Sequence, residues 1–331
     1  MDKLSPAILD AFGIQSRSIK KEKGHYLCNT DYGLMKVHIT YDTPETIWLQ
    51  YSIKEHLAAN GFSYTDRFRL AKTGQPFVQL GRETYIMATL PQQHRETNFE
   101  NEAEALEAFR ALAYFHTASR NMPMDTIPKS QPLTEVYARQ MKELTQIGKQ
   151  VRRNSRLSDF DVLFIKHAQD CGELIQDCIH RLAKTDYAAL HAMALNQGSL
   201  CHNTLKEENL LVTCKHHNPP STLNCFITNF SEAEIGLQLW DLAALIRRYA
   251  QRSGKDIPVT RLLETYNQIS PLPHGAVDIL YPLLIFPWAF MKIITQYYSK
   301  KRNWTPNGMF NRMETILAER DSYENYISCL Q

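Results

Sequence analysis

Leu200-Cys201-His202-Asn203-Thr204-Leu205-Lys206-Glu207-Glu208-Asn209-Leu210-Leu211-Val212 is the stretch from which the rest of this 331-residue chain can be organised. A mainly polar run closes at Asn209 and passes directly into the apolar Leu210-Leu211-Val212. A second apolar run, Cys225-Phe226-Ile227, follows after a polar loop containing Lys215-His216-His217-Asn218-Pro219-Pro220. Two short apolar runs around such a loop predict a hairpin, here near 198–235. It is an island, because the sequence on both sides carries helical periodicity.

Working outward, helices are expected over 99–119, 133–151, 159–185 and 188–196 before the island, and over 242–251, 259–268, 275–298 and 307–329 after it. In the first of these, Ala105, Leu106, Phe109, Leu112, Ala113 and His116 share a face. Upstream of residue 91 the character is β. His25-Tyr26-Leu27-Cys28, the turn Asn29-Thr30-Asp31-Tyr32-Gly33, and Leu34-Met35-Lys36-Val37-His38-Ile39-Thr40 predict a two-stranded hairpin within 18–41. Pro44-Glu45 opens a helix on which Ile47, Tyr51, Lys54 and Leu57 recur at helical spacing, and Asn60-Gly61 closes it. Three further strands are expected over 67–71, 77–80 and 84–89. The expected class is α+β, with a small β-rich lobe over 1–90 and a larger, mainly helical lobe over 91–331. That is the layout of a protein kinase-like fold.

Hydrophobic residues make up 44% of the chain and charged residues 22%, enough apolar material for a core. Thirty-seven Lys+Arg against 35 Asp+Glu give a formal net charge of +2, which removes the electrostatic argument for nucleic acid as partner. The seven cysteines are scattered without a CxxC pair, as expected in a reducing compartment. The opening MDKLSPAILDAFGIQ reads as an amphipathic helix rather than a signal peptide, so cytoplasmic synthesis is expected. Leu280 to Ile294 is the most apolar segment, but Pro282, Pro287 and Lys292 interrupt it. It falls short of the ~20 apolar residues of a membrane span and is expected in the core.

The stretch that opened this section resembles the catalytic loop of the aminoglycoside phosphotransferase and choline kinase superfamily, His-Gly-Asp-Leu-His-Pro-Gly-Asn followed by an apolar strand. Phe226-Ile227-Thr228-Asn229-Phe230, then Gly236, then Trp240-Asp241-Leu242-Ala243 resemble its later metal-binding and Asp-Leu-Ala segments. A closer resemblance is to the CotS-type spore coat proteins, which are kinase-like. It rests on Leu112-Ala113-Tyr114-Phe115-His116-Thr117-Ala118-Ser119, Arg95-Glu96, Tyr187 to Leu190, Pro271-Leu272, Phe286-Pro287 and Tyr297-Tyr298. The resemblance implies spore coat proteins as partners, a location in the coat, and ATP as the candidate nucleotide.

Carried over residue by residue, the resemblance puts Thr204 at the catalytic aspartate and Asn229 at the metal-binding aspartate. Asn209 is the second metal-ligand position. Lys36, Gln50 and Met87 fall on the nucleotide side, Gln50 where a glutamate usually pairs with the lysine. A threonine hydroxyl carries no charge to accept a proton, and the loss of a general base removes about 10² to 10⁴ in rate. Magnesium is usually held through carboxylates, so its binding is expected to be weak or absent. His202 is expected to be a packed structural histidine, and Asp241 to cap its helix and hold the loop. The reading is a pseudokinase. The alternative is an active ATP-dependent phosphotransferase for a small hydroxylated or amino-containing metabolite, its base relocated to Glu207, Glu208, Glu232 or Glu234. Cys214, His216 and His217 lack a second ligand pair and read as a solvated turn. Cys171 and Cys178 read as core, and Lys300-Lys301-Arg302 beside Trp304 as a solvated helix end.

Overall fold

The computed structural model describes residues 4–22, 24–123, 127–214, 223–299 and 306–331. The chain opens with α1 (Pro6–Ala11), β1 (Ser16–Glu22), β2 (His25–Thr30), β3 (Gly33–Thr40), α2 (Pro44–Ala59), β4 (Val78–Leu80) and β5 (Glu83–Thr89). β6 (His94–Glu96), α3 (Glu102–Ala118), α4 (Leu133–Val151), α5 (Asp159–Ala183) and α6 (Tyr187–Asn196) follow. Then come β7 (Leu200–Cys201), β8 (Leu210–Cys214), β9 (Leu223–Ile227), β10 (Glu234–Ile235) and α7 (Leu239–Arg252). The chain ends in α8 (Val259–Asn267), α9 (Ala276–Ile285), α10 (Trp288–Tyr298), α11 (Pro306–Ala318) and α12 (Arg320–Ile327).

Strands β1 to β5 form one antiparallel sheet in the order β1-β2-β3-β5-β4. Residues 16–40 hold three strands where the sequence reading expected two. Gly24, at φ 84°, adopts the left-handed conformation that closes a tight turn between β1 and β2. The expected strand over 67–71 is reduced to a single bridge from Phe68 to Ala88, because Ala71 turns back to bond the Gln75 carbonyl. One face of the sheet buries Met35, Val37 and Met87 with Leu4, Ile8 and Phe12 around α1. The other buries Ile86, Ala88 and Phe68 with Ile47 of α2.

The mainly helical remainder surrounds one large apolar cluster, which also takes in Ile53, Leu57 and Phe62 from α2 and the turn after it. Within it the expected hairpin exists as β8 and β9, and β6 adds to the edge of β8. β6 falls where the sequence reading expected no strand; Arg95 ties it down through an ion pair to Glu104, buried on α3. β7 and β10 pair separately and hold the two ends of the island together.

The helix expected over 275–298 is broken at Phe286 and Pro287, where Phe286 has an extended ψ of 130°. By length and composition Ala276–Tyr298 does reach membrane-span apolarity, contrary to the expectation from sequence, but 67% of its most apolar window is buried inside the protein. The helix expected over 307–329 divides at Glu319 into α11 and α12. Cys171 and Cys178 share the buried face of α5. The His216-His217 loop and the Lys300-Lys301-Arg302 run with Trp304 lie outside the described residues, as does the side chain of Cys214.

Candidate functional site

Asp241 organises the loop. Its carboxylate is fully buried and accepts the backbone N–H of His202 at 2.5 Å and that of Asn203 at 2.9 Å. Helix α7 starts at Leu239 with Gln238 as its N-cap residue, so Asp241 lies in the first turn and does not cap the helix as expected; its oxygens go to the loop. His116 Nε2 stands 3.2 Å from the same carboxylate, and His116 Nδ1 is 2.6 Å from the Tyr266 hydroxyl. A carboxylate can only accept, so Nε2 carries the proton and Nδ1 accepts from Tyr266. Burial alone would raise the Asp241 carboxyl, but the His116 hydrogen bond and nearby imidazoles outweigh it and hold it low. Burial pushes His116 down. The pair is therefore carboxylate and neutral imidazole.

His202 is buried as well. Its Nε2 donates to the Thr228 carbonyl at 2.9 Å, which leaves Nδ1 to accept the Thr204 N–H at 3.2 Å. Desolvation holds this histidine neutral. Its ring packs 4.9 Å from Phe230 and 6.2 Å from Phe115, and Phe115 in turn meets Phe62 from the turn after α2. The loop is thus fixed by hydrogen bonds on one side and an aromatic column on the other.

The residues at the degenerate positions come together. Asn209 donates from Nδ2 to the Thr204 carbonyl at 2.8 Å, and Asn229 Nδ2 approaches Asn209 Oδ1 at 3.4 Å. Asn229 Oδ1 also accepts the Ser231 hydroxyl at 2.9 Å. Asn203 and Asn229 have φ of 65° and 64°, a left-handed geometry that asparagine tolerates better than most residues. The loop motif that this stretch resembles has glycine at the place of Asn203, a residue that suits that backbone conformation.

Lys36 belongs to a second group, on the α2-facing side of the sheet. It is half-buried, and among the described residues it has no ion-pair partner. Gln50 is buried but donates its amide to Asp42 Oδ2 at 2.9 Å. One turn further along α2, Lys54 is completely buried, with its ammonium 3.6 Å from the Phe68 ring centroid and 3.0 Å from Asp66 Oδ1. That ion pair falls short of hydrogen-bond geometry. Burial depresses Lys54 most, Asp66 opposes this, and the charge on Lys36 depresses it further. His38, beside them, is driven down to about 3 by burial and then by Lys36, Lys54 and His25. Met87 does not join this group. It pairs with Val37, so its side chain lies on the sheet face opposite Lys36, fully buried under α1; the nucleotide-side assignment is corrected on that ground.

The sequence reading missed Asp66. The segment carrying it docks on the β8–β9 hairpin, with the Tyr64 carbonyl accepting Ile227 N–H at 3.0 Å and the Tyr64 ring 5.4 Å from Phe226. This brings the Asp66 carboxylate within electrostatic reach of His202, whose protonation it favours. Of the carboxylates weighed as relocated bases, Glu207 is held by Arg248 and by Arg252 at 3.0 Å. Glu208 and Glu232 are exposed, and Glu234 is half-buried beside a cavity. Among the described residues, no group of three or more His, Cys, Asp or Glu could hold a metal ion. Two neutral amides and a hydroxyl do not fit the carboxylate-rich donor set that magnesium usually takes.

A five-stranded antiparallel lobe, a buried His–Asp-anchored loop and a hairpin behind it define a kinase-like fold that solved aminoglycoside phosphotransferases share. An aminoglycoside phosphotransferase from Alicyclobacillus acidocaldarius superposes with a TM-score of 0.83 at 16% identity, covering 100% of this chain and 96% of its own. A spectinomycin phosphotransferase in complex with ADP and spectinomycin does so at 0.63 and 12% identity, covering 96% and 97%. The family model described as spore coat putative kinase YutH matches residues 6–330, and the chain belongs to that family. The endospore coat-associated protein YutH of Bacillus subtilis (strain 168) is 20% identical over 98% of this chain and 91% of its own length. The spore coat, kinase-like resemblance read from the sequence is thereby shown, and the family that matches is YutH.

Proposed function

We propose that this chain is a pseudokinase of the spore coat, with a structural or interaction role in coat assembly and other coat proteins as its partners. The observation that carries this reading is the Thr204, Asn209 and Asn229 assembly: where phosphoryl transfer needs a base and a cation held by carboxylates, all three side chains are neutral, Asn209 bonding the Thr204 backbone carbonyl and Asn229 approaching the Asn209 side chain. A well-anchored loop argues for a preserved scaffold, since Asp241 and His202 keep their geometry without serving chemistry. On this reading the lobes 1–90 and 91–331 remain as folding units, the chain is made in the cytoplasm and joins the coat, and ATP binds through Lys36 weakly or not at all.

The second reading is an active ATP-dependent phosphotransferase for a small hydroxylated or amino-containing metabolite. What favours it is Asp66, a carboxylate near the loop contributed from outside the familiar motifs. Thermal unfolding with ATP, with and without magnesium, separates the two. No shift supports the scaffold, a magnesium-independent shift supports a nucleotide-sensing scaffold, and a strong magnesium-dependent shift supports the enzyme.

A further inference from the structure

The connection between α4 and α5, residues 152–159, is exposed without interruption and forms the tip of a helical hairpin. Lys149, Arg152, Arg153 and Arg156 stand on it, all exposed, and among the described residues none of the four is in an ion pair. Lys149 is three and four residues from Arg152 and Arg153, so these three crowd one side where α4 ends. Between residues 142 and 166 the chain carries six Lys or Arg against three carboxylates. Two of the three are occupied: Glu143 accepts the Thr295 hydroxyl at 2.7 Å, and Asp161 accepts those of Tyr298 at 2.7 Å and Ser158 at 2.8 Å. Of the three, Asp159 alone is exposed. The formal charge of the whole chain is only +2, so this positive surface is local.

The tip also presents an apolar pair. Ser158 is the N-cap of α5 and closes a capping box with Asp161. Leu157 and Val162 therefore hold the positions just before the cap and four residues beyond it, whose side chains normally pack together at a helix start. Both remain in water, 44% and 56% exposed. The tip is braced from behind, because buried Phe160 stacks at 3.8 Å on Tyr297. The dipole at the end of α4 favours cations in its last turn, but it gives no reason for Arg156 beyond that turn or for apolar side chains left in solvent.

We propose that this tip docks on an anionic lipid bilayer, Leu157 and Val162 entering the headgroup region while Lys149, Arg152, Arg153 and Arg156 meet the lipid phosphates. Cations beside exposed apolar side chains are what peripheral attachment to such a surface requires. The guanidinium fork of arginine suits phosphate through paired hydrogen bonds. An acidic protein segment would account for the cations but not for the apolar pair on a convex tip, since a segment recognised through apolar side chains lies in a groove or along a strand edge. Each cation held near an anionic bilayer strengthens binding about fivefold, so four make a reversible, salt-sensitive attachment. The tip shares no residue with the loop around Thr204 and does not depend on whether that loop is active.

Co-sedimentation of the full chain with vesicles tests this, comparing phosphatidylcholine alone with phosphatidylcholine containing one-third phosphatidylglycerol. The anionic vesicles should bind at least about tenfold more tightly, and high salt should remove the difference. Arg152→Ala, Arg153→Ala and Arg156→Ala together should weaken binding about a hundredfold, and Arg156→Ala alone, should the triple variant not fold by circular dichroism, about fivefold. Arg82→Ala, Lys129→Ala and Lys184→Ala together remove the same charge from exposed positions elsewhere and should change binding by no more than about twofold. Leu157→Ser with Val162→Ser should weaken binding several-fold at unchanged charge. No binding to anionic vesicles, equal binding to both kinds, an equal loss in the displaced-charge control, or unchanged binding in the folded tip variants would each overturn the proposal. Binding of poly-glutamate without binding of vesicles would overturn it in favour of an acidic protein segment.

Discussion

The Asp241 carboxylate accepts the His202 backbone N–H at 2.5 Å, so the first turn of α7 sets the path of a loop 39 residues earlier in the chain. The same oxygens hold Asn203 and receive His116. This single buried anion satisfies several donors that would otherwise be stranded, and its value is structural whether or not the loop does chemistry.

Asp241→Asn should therefore destabilise the protein by about 3 kcal/mol, because the amide presents N–H groups to backbone donors and removes the charge that faces His116. Urea unfolding, compared at the same pH, checks this. A loss below about 1 kcal/mol would mean the loop is held by the aromatic column instead.

Replacing one partner of the Lys54–Asp66 pair should be asymmetric. Asp66→Asn strands a fully buried ammonium and should cost about 3–5 kcal/mol. Lys54→Met leaves only Asp66, whose side chain is 14% exposed and can reach water, and should cost about 1 kcal/mol or less. The order of the two urea midpoints is the measurement; the reverse order would contradict the account of the pair.

His38 gives stability a pH dependence of known sign. Its folded value is depressed to about 3, so the unfolded chain takes up a proton below its ordinary value of about 6.5 while the folded chain does not. The stability due to its neutral form is complete above about 6.5 and is lost as pH falls toward 3, by roughly 1 kcal/mol per pH unit. His116 and His202, also held low by burial, act in the same direction. His38→Leu should accordingly gain more, relative to the parent, at pH 5 than at pH 8. Equal gains in denaturant unfolding at both values would show that His38 does not titrate as described.

Restoring both carboxylates tests the preserved geometry of the loop. Thr204→Asp together with Asn229→Asp should create magnesium-dependent ATP binding, read as a thermal shift that appears only with the metal. An unchanged metal response would mean that more than two side chains separate this site from an active one.

The loop was legible because its parts are close in sequence: His202 to Asn209 is a single short loop, and Asn209 reaches the Thr204 backbone carbonyl within it. Asp241 was legible only in part, since holding a loop and capping a helix draw on the same residue type near a helix start. Met87 was misjudged for want of strand register, which decides the face on which a side chain points. Asp66 was invisible because its position depends on Tyr64 docking against Phe226, a contact between segments far apart in the chain. Lys54 did show a signal, a cation on the apolar face of α2 alongside Ile47 and Leu57, but periodicity alone does not reveal that its charge is buried with it.

The central claim is that the neutral Thr204, Asn209 and Asn229 assembly has lost phosphoryl transfer. Release of labelled phosphate from γ-labelled ATP by the purified full chain, in magnesium and with Lys36→Ala as control, measures it most directly. The account predicts release at the level of buffer for both proteins. Turnover by the parent that disappears in Lys36→Ala would contradict it.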